Sequence, residues 1–118
     1  MNSESTRDKG DIGENRAVEH LLSQGYRVVS RNYQSRKGEI DCVAYAPEGT
    51  LVFVEVKSAR SLSRGHPFTW ITPAKQRTLA AMARQYLSDH KMHSIPCRFD
   101  VIAIVGENID HMTNAFLV

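Results

Sequence analysis

Apolar residues recur at helical spacing in two segments of the chain. The first runs from Ile12 to Gly25, and glycine commonly ends helices. Its apolar face consists of Ala17, Val18, Leu21 and Leu22. The second follows Thr72-Pro73, an N-cap residue and a proline at the first helical position, and its stripe consists of Leu79, Met82, Ala83, Tyr86 and Leu87. The pattern therefore predicts two amphipathic helices.

The remaining apolar segments have strand composition, rich in β-branched and aromatic residues. Residues 26–33, 39–46 and 50–59 follow one another with short turns, which predicts an antiparallel meander. Residues 97–105 follow a helix, so we expect this strand to pair parallel within the same sheet. Residues 109–118 are compatible with a last strand or a packed tail. The order α-β-β-β-α-β predicts an α/β fold with a mixed sheet flanked by helices.

The chain of 118 residues is long enough for one domain with a real core. The polar residues 1–9 predict a disordered N-terminus, and residues 10–118 a single domain. No apolar run approaches the ~20 residues that span a bilayer, and the N-terminus is not typical of a signal peptide. Cys42 and Cys97 lie in separate apolar runs, as reduced core residues do. We therefore expect a cytoplasmic protein without a membrane partner.

Positive charge is concentrated in two stretches of the chain, although the net charge is only +2. No acidic residue lies between Lys57 and Asp89, and the turn at 34–38 is also basic. Such stretches suit a polyanion such as DNA or RNA, and a solvated basic face explains them equally well. We expect Phe68 and Trp70 to anchor their loop to the core, with stacking on nucleic-acid bases as the alternative. The candidate nucleic-acid contacts are Arg36, Lys37, Arg60, Arg64, Lys75 and Arg77.

The strand "TLVFVEVKSA" carries two charges that are costly to bury. Side chains alternate along a strand, so Glu55 and Lys57 point to the same face, with Cα atoms roughly 6.5–7 Å apart. Glu39 and Asp41 likewise share one face of the preceding strand, and Glu14 lies in the first turn of the predicted helix. We expect Glu14, Asp41 and Glu55 to surround one point, with Lys57 beside them.

Three carboxylates in one small site raise each other's pKa values, and a divalent cation removes that conflict. Oxygen ligands without Cys or His favour Mg²⁺ or Mn²⁺, and the backbone carbonyl of Val56 could add a ligand. Lys57 could hold or deprotonate a water, or neutralise charge on a scissile phosphate. We expect Glu39 to orient Asp41 or the water. A buried ion pair, Glu55 with Lys57 or Asp41 with Arg31, is the structural alternative.

The spacing D-x(13)-E-x-K, formed by Asp41, Glu55 and Lys57, resembles the PD-(D/E)xK nuclease motif. Glu14 matches in position the additional helix glutamate of the resolvase branch, which acts on Holliday junctions. More closely, "GENRAVEHLLSQGYRVVSRNY", "GEIDCVAY", "LVFVEVKSA" and "RFDVIAI" resemble the YraN family of uncharacterised, endonuclease-like bacterial proteins. This resemblance implies a restriction-endonuclease-like core and a Mg²⁺- or Mn²⁺-dependent endonuclease acting on DNA, including branched or recombination intermediates. The resemblance also implies that the catalytic residues are Glu14, Asp41, Glu55 and Lys57.

Further hypotheses remain at the sequence level. The chain could be a non-catalytic nucleic-acid-binding module that keeps the nuclease fold. His90 and His93 could chelate zinc, but no Cys or acidic partner has the matching spacing, so we expect exposed histidines. We expect Asp100 to be structural and to pair with Arg98, with a position near the carboxylate site as the alternative. A homodimer is compatible with the nuclease reading, because DNA duplexes and junctions have two-fold symmetry.

Overall fold

The computed structural model describes residues 6–63 and 65–116, with side chains described from Ile12 onward. Arg64, one of the predicted nucleic-acid contacts, lies outside the described residues. A short 3-10 helix, Pro67–Trp70, precedes the second α-helix. In chain order the elements are α1 (Thr6–Ser23), β1 (Arg27–Ser35), β2 (Gly38–Tyr45), β3 (Leu51–Ala59), α2 (Pro73–Asp89), β4 (Cys97–Val105) and β5 (Asn108–Met112).

The five strands form one mixed sheet in the order β1-β2-β3-β4-β5. Strands β3 and β4 pair in parallel, because α2 carries the chain back across the sheet between them, and the other pairs are antiparallel. The predicted α/β class, the α-β-β-β-α-β order and the parallel fourth strand are confirmed. Both alternatives for the C-terminal segment hold for part of it: Asn108–Met112 form the strand β5, and the residues that follow pack against β4, where Phe116 stacks on Phe99.

The first helix begins earlier than the apolar pattern indicates. It starts at Thr6 rather than near Ile12, so residues 6–9, predicted to be disordered, have helical backbone. The rest of that prediction, residues 1–5, lies outside the described residues. Extending a nucleated helix adds one hydrogen bond for each residue fixed, so a polar segment can continue a helix without contributing to the apolar stripe.

The sheet has an apolar cluster on each face, because side chains alternate along β3. Val54 faces α1, whereas Phe53 faces α2. The α1 face is formed by Ala17, Leu21, Tyr26, Cys42, Ala44, Ala46, Val52, Val54, Ile102 and Ile104. The α2 face is formed by Ile40, Val43, Leu51, Phe53, Leu79, Met82, Ala83, Tyr86 and Phe99.

Helix α1 approaches β3 most closely at Gly13. A Cβ atom built on Gly13 would overlap the hydroxyl oxygen of Ser58, so a larger residue here would require that hydroxyl or the helix to shift. A glycine inside a helix costs about 1 kcal/mol relative to alanine, and here that cost permits the contact. The next residue is Glu14, so the approach of α1 at Gly13 sets how far the Glu14 carboxylate reaches toward the sheet.

A carboxylate cluster at a fork in the sheet

Strands β2 and β3 separate at one point, which we call the fork. Their paired register runs from Tyr45–Leu51 to Cys42–Val54. Beyond it the backbone N–H of Val56 donates to Asp41 Oδ2 at 2.8 Å. A side-chain oxygen therefore replaces a backbone acceptor of the neighbouring strand, and the separation makes room for side chains between the strands.

Three carboxylates from two elements meet beside the fork. Glu14 on α1 and both Glu39 and Asp41 on β2 each offer one oxygen, and these three oxygens lie within 4.8 Å of one another. All three residues are half-buried. Oxygens bound to one Mg²⁺ at about 2.1 Å lie up to about 4.2 Å apart, so a small closure would bring this donor set onto a single cation.

Asn32 on β1 contacts two of these carboxylates. With its amide nitrogen turned toward them, Asn32 donates to Glu39 Oε2 at 2.7 Å and to Glu14 Oε1 at 3.0 Å. The opposite orientation would set its oxygen against two acceptors. Asn32 has a φ of 56°, in the left-handed region that asparagine tolerates better than most residues. Arg31 adds a more distant charge, 3.9 Å from Glu14 Oε1.

Asp41 has a strongly perturbed acidity. Burial and the charge of Glu55 raise the pKa of Asp41 to about 8, with smaller upward contributions from a hydrogen bond to Glu55 and from the charge of Glu14. The N–H of Val56 acts in the opposite direction but does not offset them. Without a cation, therefore, the surroundings of Asp41 disfavour its ionised form.

Glu55 is bound by two ammonium groups on the α2 side of β3. Its carboxylate Oε2 lies 3.4 Å from Lys57 Nζ and 3.3 Å from Lys75 Nζ, and the residue is only 4% exposed. Lys75 was predicted as a nucleic-acid contact, but here it pairs with Glu55. The reason is that α2 begins at Pro73, so its first turn lies over β3.

The structure brings together most of the residues predicted for the site, in a different grouping. Glu14 and Asp41 lie close together, as expected. Glu39, predicted to orient Asp41 or a water, lies beside them as a third possible ligand. Glu55 contacts Asp41 on its other side. Glu39 and Asp41 share a face of β2, and Asn32 holds Glu39 toward Glu14.

The backbone of Val56 also faces the fork. Its N–H points to Asp41, and the N–H and C=O of one strand residue point to the same neighbouring strand, so its carbonyl is directed there too. This orientation is compatible with the predicted carbonyl ligand. Sequence reasoning missed Asn32, although an asparagine within a strand is unfavourable and could have drawn attention to this position.

The other predicted basic contacts are exposed. Arg36 and Lys37 form the β1–β2 turn, Arg60 follows the end of β3, and Arg77 lies on α2. Gly38, the first residue of β2, lies close to the Thr78 side chain, which brings that turn near Arg77. Their proposed contact with nucleic acid stays a prediction.

A second buried carboxylate, Asp100 on β4, has very different surroundings. It is fully buried and accepts hydrogen bonds from Arg98 Nε at 3.0 Å, His111 Nε2 at 2.8 Å, Tyr26 at 3.3 Å and the Asn114 N–H at 3.0 Å. Burial alone would raise the pKa of Asp100, but these donors outweigh it and lower that pKa. We call this set of contacts the Asp100 network. It agrees with the predicted pairing of Asp100 with Arg98.

The zinc alternative gains no support from the described part of the chain. The ring of His90 stacks on Tyr86 at 3.9 Å between centroids, and His90 Nδ1 lies 2.9 Å from the Tyr86 carbonyl oxygen. Within residues 12–63 and 65–116, the metal-compatible cluster of three or more side chains is the one formed by Glu14, Glu39 and Asp41. No helix in the described residues is both long and apolar enough to cross a membrane.

Comparison with known proteins identifies relatives over almost the whole chain. The family model described as "Uncharacterised protein family UPF0102" matches residues 13–104. A UPF0102 protein of Trichlorobacter lovleyi is 42% identical over 112 residues, which cover 91% of this chain and 88% of the relative. A UPF0102 protein of Ralstonia pickettii is 48% identical over 115 residues, covering 94% and 91%. One of Pelobacter propionicus is 46% identical over 116 residues, covering 93% and 83%.

Proposed function

This chain belongs to the uncharacterised protein family UPF0102, the YraN family that its motifs resemble, and we propose that it is a metal-dependent nuclease that hydrolyses DNA phosphodiester bonds. The observation that carries the proposal is the meeting of Glu14, Glu39 and Asp41 at the fork, beside the strand that bears Lys57. Carboxylates this close together raise one another's pKa values, and a bound divalent cation would stabilise their ionised forms.

The donor set fits Mg²⁺ or Mn²⁺, since it consists of carboxylate oxygens and a backbone carbonyl. Glu14, Glu39 and Asp41 would hold the cation, with Val56 offering its carbonyl and Glu55 adjoining Asp41. When bound, such a cation supplies positive charge to the scissile phosphate and acidifies a water.

Lys57 is the residue best placed to act on the phosphate. Its ammonium is partly exposed, with 28% of the side chain accessible, and Glu55 Oε2 lies 3.4 Å away. Glu55 thus fixes the ammonium at the rim of the site, where it can donate to the negative charge that develops on phosphate oxygens or hold the attacking water.

The sharpest test compares two lysines that contact the same oxygen. Lys57 and Lys75 lie 3.4 and 3.3 Å from Glu55 Oε2, with 28% and 35% of their side chains exposed. Lys57→Ala and Lys75→Ala therefore remove equivalent structural ion pairs. We expect Lys57→Ala to lower Mn²⁺-dependent cleavage about a hundredfold or more, and Lys75→Ala to lower it much less. Equal losses, matched by equal drops in melting temperature, would make both lysines structural.

The assay should cover linear, nicked, flapped and four-way DNA, because branched or recombination intermediates are the substrates that the nuclease resemblance suggests. The second candidate function is a nucleic-acid-binding module without catalysis, which the exposed Arg36, Lys37, Arg60 and Arg77 favour. Absence of cleavage on every substrate with either ion, together with weaker binding after charge removal at these positions, would establish it instead.

We further propose that the protein acts in the cytoplasm and binds DNA as a homodimer. The thiols of Cys42 and Cys97 are both free, as expected in a reducing compartment. Light scattering with and without duplex DNA would measure the oligomeric state. A two-fold substrate requires two equivalent cleavage sites, so a monomer on DNA would remove the dimer from the proposal without affecting the chemistry.

A further inference from the structure

A hollow of about 290 Å³ opens where β3 leaves the carboxylate cluster. Its walls consist of Ser58, Ala59, Arg60, Ser61, Ser63 and Trp70. The hollow begins at the residue directly after Lys57, and a strand rises about 3.3 Å per residue, so its far wall at Arg60 lies roughly 10 Å along the chain. It is thus next to the position proposed for the scissile phosphate.

The direction of the strand puts part of the hollow on the face of the proposed chemistry. Residues two apart along a strand share a face, so Ala59 points to the same side as Lys57 and Glu55. Ala59 is small, and the space that a longer side chain would fill there stays open. A group bound to the Lys57 face can therefore extend into the hollow.

The walls combine three kinds of recognition. Trp70 offers a flat aromatic surface, the serines offer hydroxyl donors and acceptors, and Arg60 offers a guanidinium that binds phosphate or stacks on a base. Aromatic stacking with basic and hydroxyl groups nearby is the combination by which proteins bind unpaired nucleotides. Paired bases inside a duplex cannot present their faces to an indole.

The backbone that carries Trp70 is held in place before any ligand binds. It ends the 3-10 helix, whose start is fixed by His66: His66 Nδ1 accepts from the Phe68 N–H at 3.2 Å, and the His66 carbonyl accepts from Thr69 Oγ1 at 2.7 Å. His66 Nε2 in turn lies 2.8 Å from Asp110 Oδ2 on β5. A site ordered in advance loses less entropy on binding.

We propose that this hollow binds an unpaired nucleobase adjoining the scissile phosphate, so that the nuclease selects single-stranded or locally unpaired DNA over continuous duplex. This inference rests on the proposed function, since it extends the same site. It gives Trp70 the recognition role that the sequence left as the alternative to anchoring the loop.

Binding can be measured independently of cleavage because Trp70 is the only tryptophan in the chain. Its fluorescence is titrated with an oligothymidylate and with a duplex of equal length, in the absence of divalent metal and at fixed salt. We expect quenching by the single strand at a concentration about tenfold or more below that required for the duplex. Equal responses to both, or no response to the single strand, would overturn the proposal.

Variants of Trp70 separate the contribution of aromatic stacking to binding from that of side-chain volume. Stacking on one aromatic residue is worth about 1–3 kcal/mol, so Trp70→Leu should weaken binding of a labelled single strand about fivefold or more, whereas Trp70→Phe should retain most of the affinity. The matched control is Phe68→Leu on the same 3-10 helix, whose ring packs on His66 at 4.4 Å between centroids. Phe68→Leu should leave the preference for single strands unchanged; a loss equal to that of Trp70→Leu would overturn the proposal.

The failures of the two proposals are distinguishable. If Asp41→Asn abolishes cleavage but Trp70→Leu cleaves single-stranded and duplex DNA in the same ratio as the parent protein, the hollow proposal alone fails. If the single strand quenches Trp70 and Trp70→Leu weakens its binding, but no DNA is cleaved, the nuclease proposal alone fails and the hollow belongs to a binding module. Melting temperatures of each variant, measured in parallel, confirm that the compared proteins are folded.

Discussion

The fork and the Asp100 network both bury carboxylate groups within the same sheet, but they compensate negative charge in opposite ways. Asp100 accepts from Arg98, His111, Tyr26 and a backbone N–H, and its pKa is lowered. At the fork the carboxylate of Asp41 faces other carboxylates, and its pKa is raised to about 8. The protein itself satisfies the first anion, whereas the second requires a proton or a cation.

This difference distinguishes the two acidic groups better than the extent of burial does. Asp100 is the more deeply buried of the two, yet its hydrogen bonds leave no capacity for a ligand. It also ties α1 to β5, because the other ring nitrogen of His111 lies 3.2 Å from His20 Nε2. Groups whose surroundings disfavour their charged form are the usual candidates for chemistry.

The largest expected effect is on catalysis at the fork. Asp41→Asn should lower the cleavage rate with Mn²⁺ by about a hundred- to a thousandfold, roughly 3–4 kcal/mol of transition-state stabilisation, since it removes a charged ligand but keeps an acceptor for the Val56 N–H. The measurement is a single-turnover assay. A comparable loss per folded molecule for Asp100→Asn would erase the distinction between the two regions.

The next effect is on the free energy of unfolding, for which we expect the larger loss in Asp100→Asn and the smaller one in Asp41→Asn. Asp100→Asn removes one of the two carboxylates paired with Arg98, the other being Glu48, and leaves a buried donor of the network without its charged acceptor, which costs about 3 kcal/mol. Asp41→Asn should lower the free energy of unfolding by less than about 1 kcal/mol or increase it. Urea denaturation at pH 7 in EDTA compares the two variants. Greater destabilisation by Asp41→Asn would mean that the fork, too, is structural.

A somewhat smaller effect concerns cation binding. Mn²⁺ at about one hundred times its dissociation constant should stabilise the protein by about 2.7 kcal/mol, because it binds the folded state alone. Glu14→Gln should abolish most of this gain, whereas Asp100→Asn should keep it although its baseline stability is lower. Thermal unfolding with and without Mn²⁺ measures both. An undiminished gain in Glu14→Gln would place the cation elsewhere.

The smallest effect is a difference in pH dependence. Asp41 has a folded-state pKa of about 8, above the ordinary value of 3.8, so between these values the folded protein binds more protons than the unfolded chain. Its contribution to stability therefore falls as pH rises from 4 to 8. Asp100 has a lowered pKa, so its contribution is present above pH 4 and is lost in more acidic solution.

Asparagine at position 41 cannot titrate, so the stability of metal-free Asp41→Asn relative to the parent protein should increase by up to about 1.4 kcal/mol for each pH unit between pH 5 and pH 8. Urea titrations at several pH values provide the measurement. A difference that stays constant with pH would show that Asp41 is ionised throughout this range, like an ordinary carboxylate.

The local sequence pattern predicted the helices and strands, together with those side-chain contacts that follow from the alternation of side chains along a strand. The pairing of Glu55 with Lys57 and the shared face of Glu39 and Asp41 follow from the two-residue period of a strand. The contact of Lys75 with Glu55 could not be predicted in this way, because it depends on where the first turn of α2 lies over β3.

The remaining contacts depend on irregular backbone or on distant parts of the chain. Asn32 reaches Glu14 and Glu39 from a strand whose register shifts between Val28 and Ser30, and neither feature has a periodic signal. His111 reaches Asp100 only because the short β5 pairs with β4. Such contacts require the folded sheet before they can be identified.

Because Gly13 has no side chain, α1 can lie close to β3, and this closeness affects how far the neighbouring Glu14 reaches toward the sheet. Because the Ser58 hydroxyl occupies the space that a methyl group would need, a larger residue at position 13 requires either that hydroxyl to turn away or α1 to move outward, and an outward movement would carry Glu14 away from its partners on β2. Steric bulk at this neutral position would then alter the proposed cation site with every charged group left in place.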